Sequence, residues 1–167
     1  ADYYKAGTPY LDKLTFAFGL DPTVAVLKLK NGEIDVVGDG IPPAQFAEAM
    51  ADPANKDLIA VGDQLHTGYV TMNVTIPPFD NVKVRQAVNM AINKERIVKL
   101  INNRAAPASQ ALPPAMPGYN LDNKGYAYDP EAAKALLAEA GQAAFTTEIY
   151  AMNVDPNPRI AEAIQQD

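Results

Sequence analysis

Two periods of hydrophobic residues run along the chain. From Asp80 onward, Val84, Val88, Ala91 and Ile92 recur at i, i+4, i+7 and i+8, the spacing of one helical face. Asn93 then offers a cap for a second helix carrying Ile97, Val98 and Ile101, so Asn93-Lys94-Glu95 reads as a bend between two helices. Ala133, Leu136, Leu137 and Ala140 repeat the helical spacing until Gly141 stops it. Val24, Leu27 and Val26 predict an apolar face on a further helix that ends at Asn31-Gly32. The other period is two. Leu14, Phe16 and Phe18 alternate with Thr15 and Ala17, and residues 69–74 alternate in the same way. Residues 34–37 and 148–152 read as two more short strands. Helices mixed with strands predict an α/β (α+β mixed) class.

Proline marks the helix starts. Asp-Pro occurs at Asp21-Pro22, Asp52-Pro53, Asp129-Pro130 and Asp155-Pro156. An aspartate accepts bonds from free helix N–H groups, and proline in the first turn lacks an N–H that would have no partner there. Asn157 and Pro158 read as the N-cap and first residue of a last helix, which the sequence carries for only about two turns. With no Met at the start, this suggests an internal piece of a longer protein. Two loops are rich in proline: Ile76-Pro77-Pro78-Phe79, and residues 105–128 with Pro107, Pro113, Pro114 and Pro117. A loop of the second kind is usually functional or lies against another part of the protein.

Composition narrows the chemistry. The 167 residues are 48% hydrophobic and 20% charged, with a net charge of -6, enough for one domain with a core. Lysines and arginines are scattered rather than gathered in a basic stripe, which argues against a nucleic-acid partner. No apolar run approaches the roughly 20 residues of a membrane span. Cysteine is absent, which removes disulfides, zinc–thiolate sites and thiol nucleophiles. The single Ser109 sits between Ala108 and Gln110 in the proline-rich loop, not on a strand-to-helix turn, so a hydrolase triad with the single His66 is disfavoured. No catalytic residue, metal ligand or cofactor is assigned.

Two motifs imitate ion sites. Residues 120–131 place Asp122, Gly125 and Glu131 at the third, sixth and twelfth positions of a calcium loop, but Asn120 holds the first position and Lys124 the fifth. The simpler reading is a loop entering a capped helix. Gly38-Asp39-Gly40 has the look of a phosphate cradle, but Ile41-Pro42-Pro43 removes two N–H donors from the next turn. It reads as a strand-to-helix turn or as a cleft-edge loop where backbone can approach a ligand. His66 reads as a partly buried neutral histidine or a ligand contact. Tyr69 reads as packing, with a ring and hydroxyl that also suit ligand contact.

Five blocks, in order, carry a resemblance to the family 5 extracellular solute-binding proteins of ABC importers, which include oligopeptide, dipeptide and nickel binders. They are Asp2-Tyr3-Tyr4 with Pro9-Tyr10-Leu11-Asp12-Lys13; Asp21-Pro22-Thr23 continuing to Asn31-Gly32-Glu33-Ile34-Asp35; Pro78-Phe79-Asp80-Asn81-Val82-Lys83-Val84-Arg85-Gln86-Ala87 with Ala91-Ile92-Asn93-Lys94; Pro113-Pro114-Ala115-Met116-Pro117-Gly118-Tyr119; and Tyr128-Asp129-Pro130-Glu131-Ala132-Ala133-Lys134-Ala135-Leu136-Leu137.

The resemblance implies part of a two-lobed, periplasmic-binding-protein-like fold that closes on a solute. Residues 1–65 end the first-lobe segment, 66–167 open the second lobe, and the crossover falls near 66–69. It places Gly38, Asp39 and Gly40 near the cleft, His66, Thr67, Gly68 and Tyr69 at the crossing, and Met152 and Asn153 among the ligand-binding candidates. Dipeptide-binding relatives carry an Arg and a Tyr just after the strand equivalent to residues 149–152, where this chain reads Asn153-Val154-Asp155-Pro156. Peptide is therefore the family's expectation rather than a property of these residues. The expected protein is extracytoplasmic, either periplasmic or a cell-surface lipoprotein, with a small solute and ABC permease subunits as partners. A metal-chelate receptor of the same fold is the alternative within binding; a hydrolase or a structural interaction module is the alternative outside it.

Overall fold

Aspartate and asparagine side chains open most of the helices. The computed structural model describes residues 3–38 and 40–167. Asp21 caps α1 (Pro22–Lys30), accepting from the Thr23 amide at 2.8 Å and the Val24 amide at 3.2 Å. Pro42 stands at the cap position of α2 (Pro43–Ala51) and provides no side-chain bond. Asp52 accepts from the Ala54 amide at 2.9 Å but opens only a 3₁₀ turn, Pro53–Asn55. Asn81, not Asp80, caps α3 (Val82–Ala91), and Asn93 caps α4 (Lys94–Leu100), so the expected bend between the two helices is present. Asp129 caps α5 (Pro130–Glu139). α6 (Asn157–Gln166) begins one residue earlier than expected. Pro156 takes the cap position, and the Asn157 amide group bonds backward to the Val154 carbonyl at 3.0 Å instead of capping forward.

The helix ends share one device. After α1 the Gly32 amide donates to the Leu29 carbonyl at 3.0 Å and the Glu33 amide to Lys28 at 2.9 Å, with Gly32 at φ 72°. Gly141 and Gln142 repeat this pair of bonds behind α5. These reversals satisfy carbonyls that the last turn leaves free and need a left-handed residue, which glycine adopts most easily. Behind α4 the same reversal is made by Asn102 at φ 58°, and Asn103 follows at φ 56°.

Helix packing concentrates on one antiparallel pair. The Asp129 amide donates to the Met90 carbonyl at 2.9 Å, and Lys83 pairs with Glu139 at 3.1 Å, so the start of α5 lies by the end of α3 and the reverse. Between them Val84, Ala87 and Ala133 are buried, the small alanines letting the helices approach closely. Val88, expected mid-face, is only partly buried. The line facing α5 runs through Val84 and Ala87, three apart, and turns Val88 toward the edge of the contact. On α1 the buried residues are Ala25 and Val26, whereas Val24 and Leu27, expected to form the apolar face, remain 42% and 51% exposed. α4 rests on α6: Asp167 pairs with Arg96 at 2.8 Å and accepts from the Asn93 amide at 2.9 Å, while Arg96 also donates to the Ala163 carbonyl.

The expected strands do not form: among the described residues none pairs into a sheet, and residues 35 and 74 lie in a bend and a turn. A strand is defined by its ladder, and an alternating segment cannot make one without a neighbour that offers its own backbone. Their side chains lie open: Phe18 is 89% exposed, Tyr69 82% and Tyr150 87%. The accessible surface is 12923 Å², against about 8,000 Å² for a self-contained globule of this mass. Part of the excess lies in these apolar segments, whose Phe18, Tyr69 and Tyr150 stay open.

Candidate functional site

The candidate residues fall in three places. Gly38 and Gly40 flank the start of α2, with Gly40 in the left-handed region at φ 86°; Asp39 lies outside the described residues. Thr67 is half-buried, whereas His66, Gly68 and Tyr69 are exposed on the extended run leading away from residue 65. His66 was expected to be partly buried; no packed layer covers that run, so the ring faces solvent. Met152 and Asn153 are exposed before α6. Among the described residues no hydrogen bond or ion pair joins any of these three groups to another. Among the described residues two recesses lie elsewhere. One, of about 240 Å³, is beside the 3₁₀ turn between Ala49 and Ile59. The other, of about 180 Å³, lies between the start of α4 and Tyr126 to Tyr128. Both fall below the roughly 300 Å³ at which a pocket encloses a small ligand.

The second recess has a defined polar floor. The Lys94 ammonium donates to Asn89 Oδ1 at 2.8 Å and to the Tyr126 carbonyl at 3.4 Å. Burial lowers its pKa below the usual lysine range.

Several oxygens of the calcium-like segment are engaged within it or on its neighbouring helix. Asn120 Oδ1 accepts from the Asp122 amide at 2.9 Å, and Asn123 Oδ1 from the Gly125 amide at 3.0 Å. Lys124 donates to the Leu121 carbonyl at 2.8 Å, and Glu131 holds Lys134 at 2.8 Å. Among the described residues no group of three or more His, Cys, Asp or Glu side chains gathers as a metal site would. The proline-rich loop is built rather than slack. Gln110 bonds both the amide and the carbonyl of Asn120, and Gly125, at φ 65°, is pressed against the Ser109 backbone. Ser109 thus serves loop packing, and no hydrogen bond connects it to His66 among the described residues.

One contact that sequence reasoning missed does bring two parts of the chain together. Behind α4, Asn102 Nδ2 donates to the Pro43 carbonyl at 2.8 Å, Arg104 donates to the Ile41 carbonyl, and the Arg104 guanidinium lies 4.6 Å from the Phe46 ring centroid. The Asn102-Asn103 pair directly after an apolar helix end was the available signal, since asparagine tolerates the left-handed turn that aims the next residues.

Overlay on solved structures points to one class of fold, the periplasmic binding proteins. The chain overlays on DppA from Helicobacter pylori, an ABC transporter-associated periplasmic binding protein in complex with peptide STSA, with a TM-score of 0.60 and 26% identity, covering 74% of this chain and 24% of that one. It overlays on HbpA2 from Haemophilus parasuis with a TM-score of 0.62 and 36% identity, covering 90% and 31%. Residues 1–167 match the bacterial extracellular solute-binding proteins, family 5 middle, and the chain belongs to that family. It is 40% identical over 173 residues to the dipeptide-binding protein of Escherichia coli K12, and 39% identical over 175 residues to heme-binding protein A of Haemophilus influenzae. Each alignment covers 99% of this chain; the chain spans 32% and 31% of those two relatives.

Proposed function

We propose that this chain is the middle portion of the substrate-binding receptor of an ABC importer, an extracytoplasmic protein that closes two lobes on a small peptide and presents it to permease subunits. The observation that carries the reading is the match to the family along all 167 residues, with 40% identity to a dipeptide-binding protein. Closure of this kind requires a ligand that binds the closed state better than the open one. The family is one of solute binders, and this supports a receptor that holds its solute without transforming it. The lobes divide at residues 66–69, where an exposed extended run with Gly68 connects the α1–α2 part to the α3–α6 part. Gly38, Asp39, Gly40, Met152 and Asn153 are the proposed cleft residues.

A second reading, supported by the heme-binding relative at 39% identity, makes the cargo a metal chelate. Calorimetry of the whole protein against a dipeptide and against heme separates the two. The first reading expects binding of the dipeptide by the whole protein and little by residues 1–167 alone, because a cleft that buries its ligand needs both walls. Equal affinity of the short chain would overturn the two-lobe arrangement. Gly68→Pro fixes φ and removes a donor at the crossing, so dipeptide affinity should fall at least about tenfold with the thermal midpoint held. Unchanged affinity removes Gly68 from the hinge.

A further inference from the structure

The turn behind α4 reaches across to α2. Two consecutive asparagines occupy the left-handed region there, uncommon for residues other than glycine and best tolerated by asparagine. Their effect is to reverse the chain and aim Asn102 and Arg104 at the start of α2. Two side chains make three contacts at that point: the Asn102 amide on the Pro43 carbonyl at 2.8 Å, Arg104 on the Ile41 carbonyl, and the same guanidinium over Phe46 at 4.6 Å. Ile41 precedes the cap residue Pro42, and the first helical bond runs from the Phe46 amide to the Pro42 carbonyl, so the Ile41 carbonyl lies outside the helix's own bonding. Gly40 takes a left-handed φ of 86° in the turn that leads into this segment, and a Cβ there would only touch Arg104 Nη2, at 3.9 Å. A charged donor, a fixed amide and a cation over a ring make a contact that is directional and can be released in one movement.

We infer that Asn102 and Arg104 form a latch between the two lobes, gripping the Gly40–Phe46 segment of one from the other and holding the lobes at the spacing of this structure. The inference rests on the lobe division proposed above. When the latch opens, the guanidinium and the two carbonyls return to water, so breaking it costs little and the lobes can cycle.

The test uses the whole protein with spin labels at Ala51→Cys on α2 and Ala135→Cys on α5, both exposed and away from the latch. Pulsed electron–electron resonance reads the label distance in the ligand-free protein, and calorimetry reads the thermal midpoint. Asn102→Ala with Arg104→Ala should lengthen the mean distance by more than about 2 Å while the midpoint stays at the unsubstituted value. Arg104→Lys, which keeps a cation over Phe46, should lengthen it less. An unchanged distance with an unchanged midpoint overturns the latch and leaves the lobe division standing. An unchanged distance with a lowered midpoint overturns both, since the contact would then be internal packing of one lobe.

Discussion

Truncating Val84 to alanine isolates the α3–α5 interface from everything around it. Among the described residues Val84 is the largest fully buried side chain, and it lies on the line of α3 that packs against α5. The substitution removes two methyl groups, worth about 0.8 kcal/mol each in transfer from water. Ala87 and Ala133 are already too small to collapse into the space, so a cavity penalty is added and the total comes to about 2–3 kcal/mol. Val88→Ala removes the same atoms from a partly exposed site and should cost about 1 kcal/mol or less. Native-state hydrogen exchange in the whole protein reads the difference directly on the α3 and α5 amides. A loss of 2 kcal/mol lowers protection about 30-fold, and Val88→Ala should lower it about fivefold or less. If the two substitutions cost the same, or if Val88→Ala costs more, the helix is rotated from the orientation described and the pairing of Val84 with α5 is wrong.

Gly125→Ala should lower the thermal midpoint more than Gly7→Ala. Both glycines have left-handed φ, at 65° and 76°, but only at Gly125 would a Cβ meet a backbone oxygen, that of Ser109, at 2.8 Å. The left-handed penalty of about 1–2 kcal/mol applies to both, and the loop displacement to Gly125 alone; equal midpoints would show that the two loops are not pressed together. Glu33 should titrate below the ordinary glutamate range, held there by a hydrogen bond from Lys28, a second from Asn31, and then the Lys28 charge. Its stabilising effect is present above the unfolded carboxylate value and is lost as pH falls through the lowered one. In carboxyl-carbon NMR, Lys28→Gln should move that midpoint upward, and a stationary midpoint would mean the pair does not form in solution.

The helices were legible because their signals are local. Asp21, Asn93 and Asp129 each announce a start, Gly32 and Gly141 each mark an end, and an apolar run lies between. Facing was less legible. Val84 and Val88 look equivalent by period, and only the position of α5 decides which is buried. The strand-like segments carry the right period, but pairing is a property of two segments. Phe16 and Tyr150 cannot report from their own neighbourhoods whether a partner backbone is beside them. Of the candidate site, the Gly38–Gly40 turn was visible as composition, and its approach to Arg104 was not, because that contact spans some 60 residues of chain and depends on the left-handed Asn102 and Asn103.

Residues 14–20 read Leu-Thr-Phe-Ala-Phe-Gly-Leu, without a charge or a proline, and Leu14, Phe16 and Phe18 are 64%, 68% and 89% exposed. Phe16 and Phe18 already stack, with ring centroids 6.2 Å apart. An uncharged, aromatic stretch with free backbone donors and acceptors is a template on which a second copy can add as a neighbouring strand. Shelter for this stretch is thus a condition of solubility as well as of folding. Any route of synthesis that leaves it bare for long exposes the nascent chain to self-association. A single lysine in place of Thr15, set among the aromatic rings, would act as a gatekeeper and keep separate copies apart.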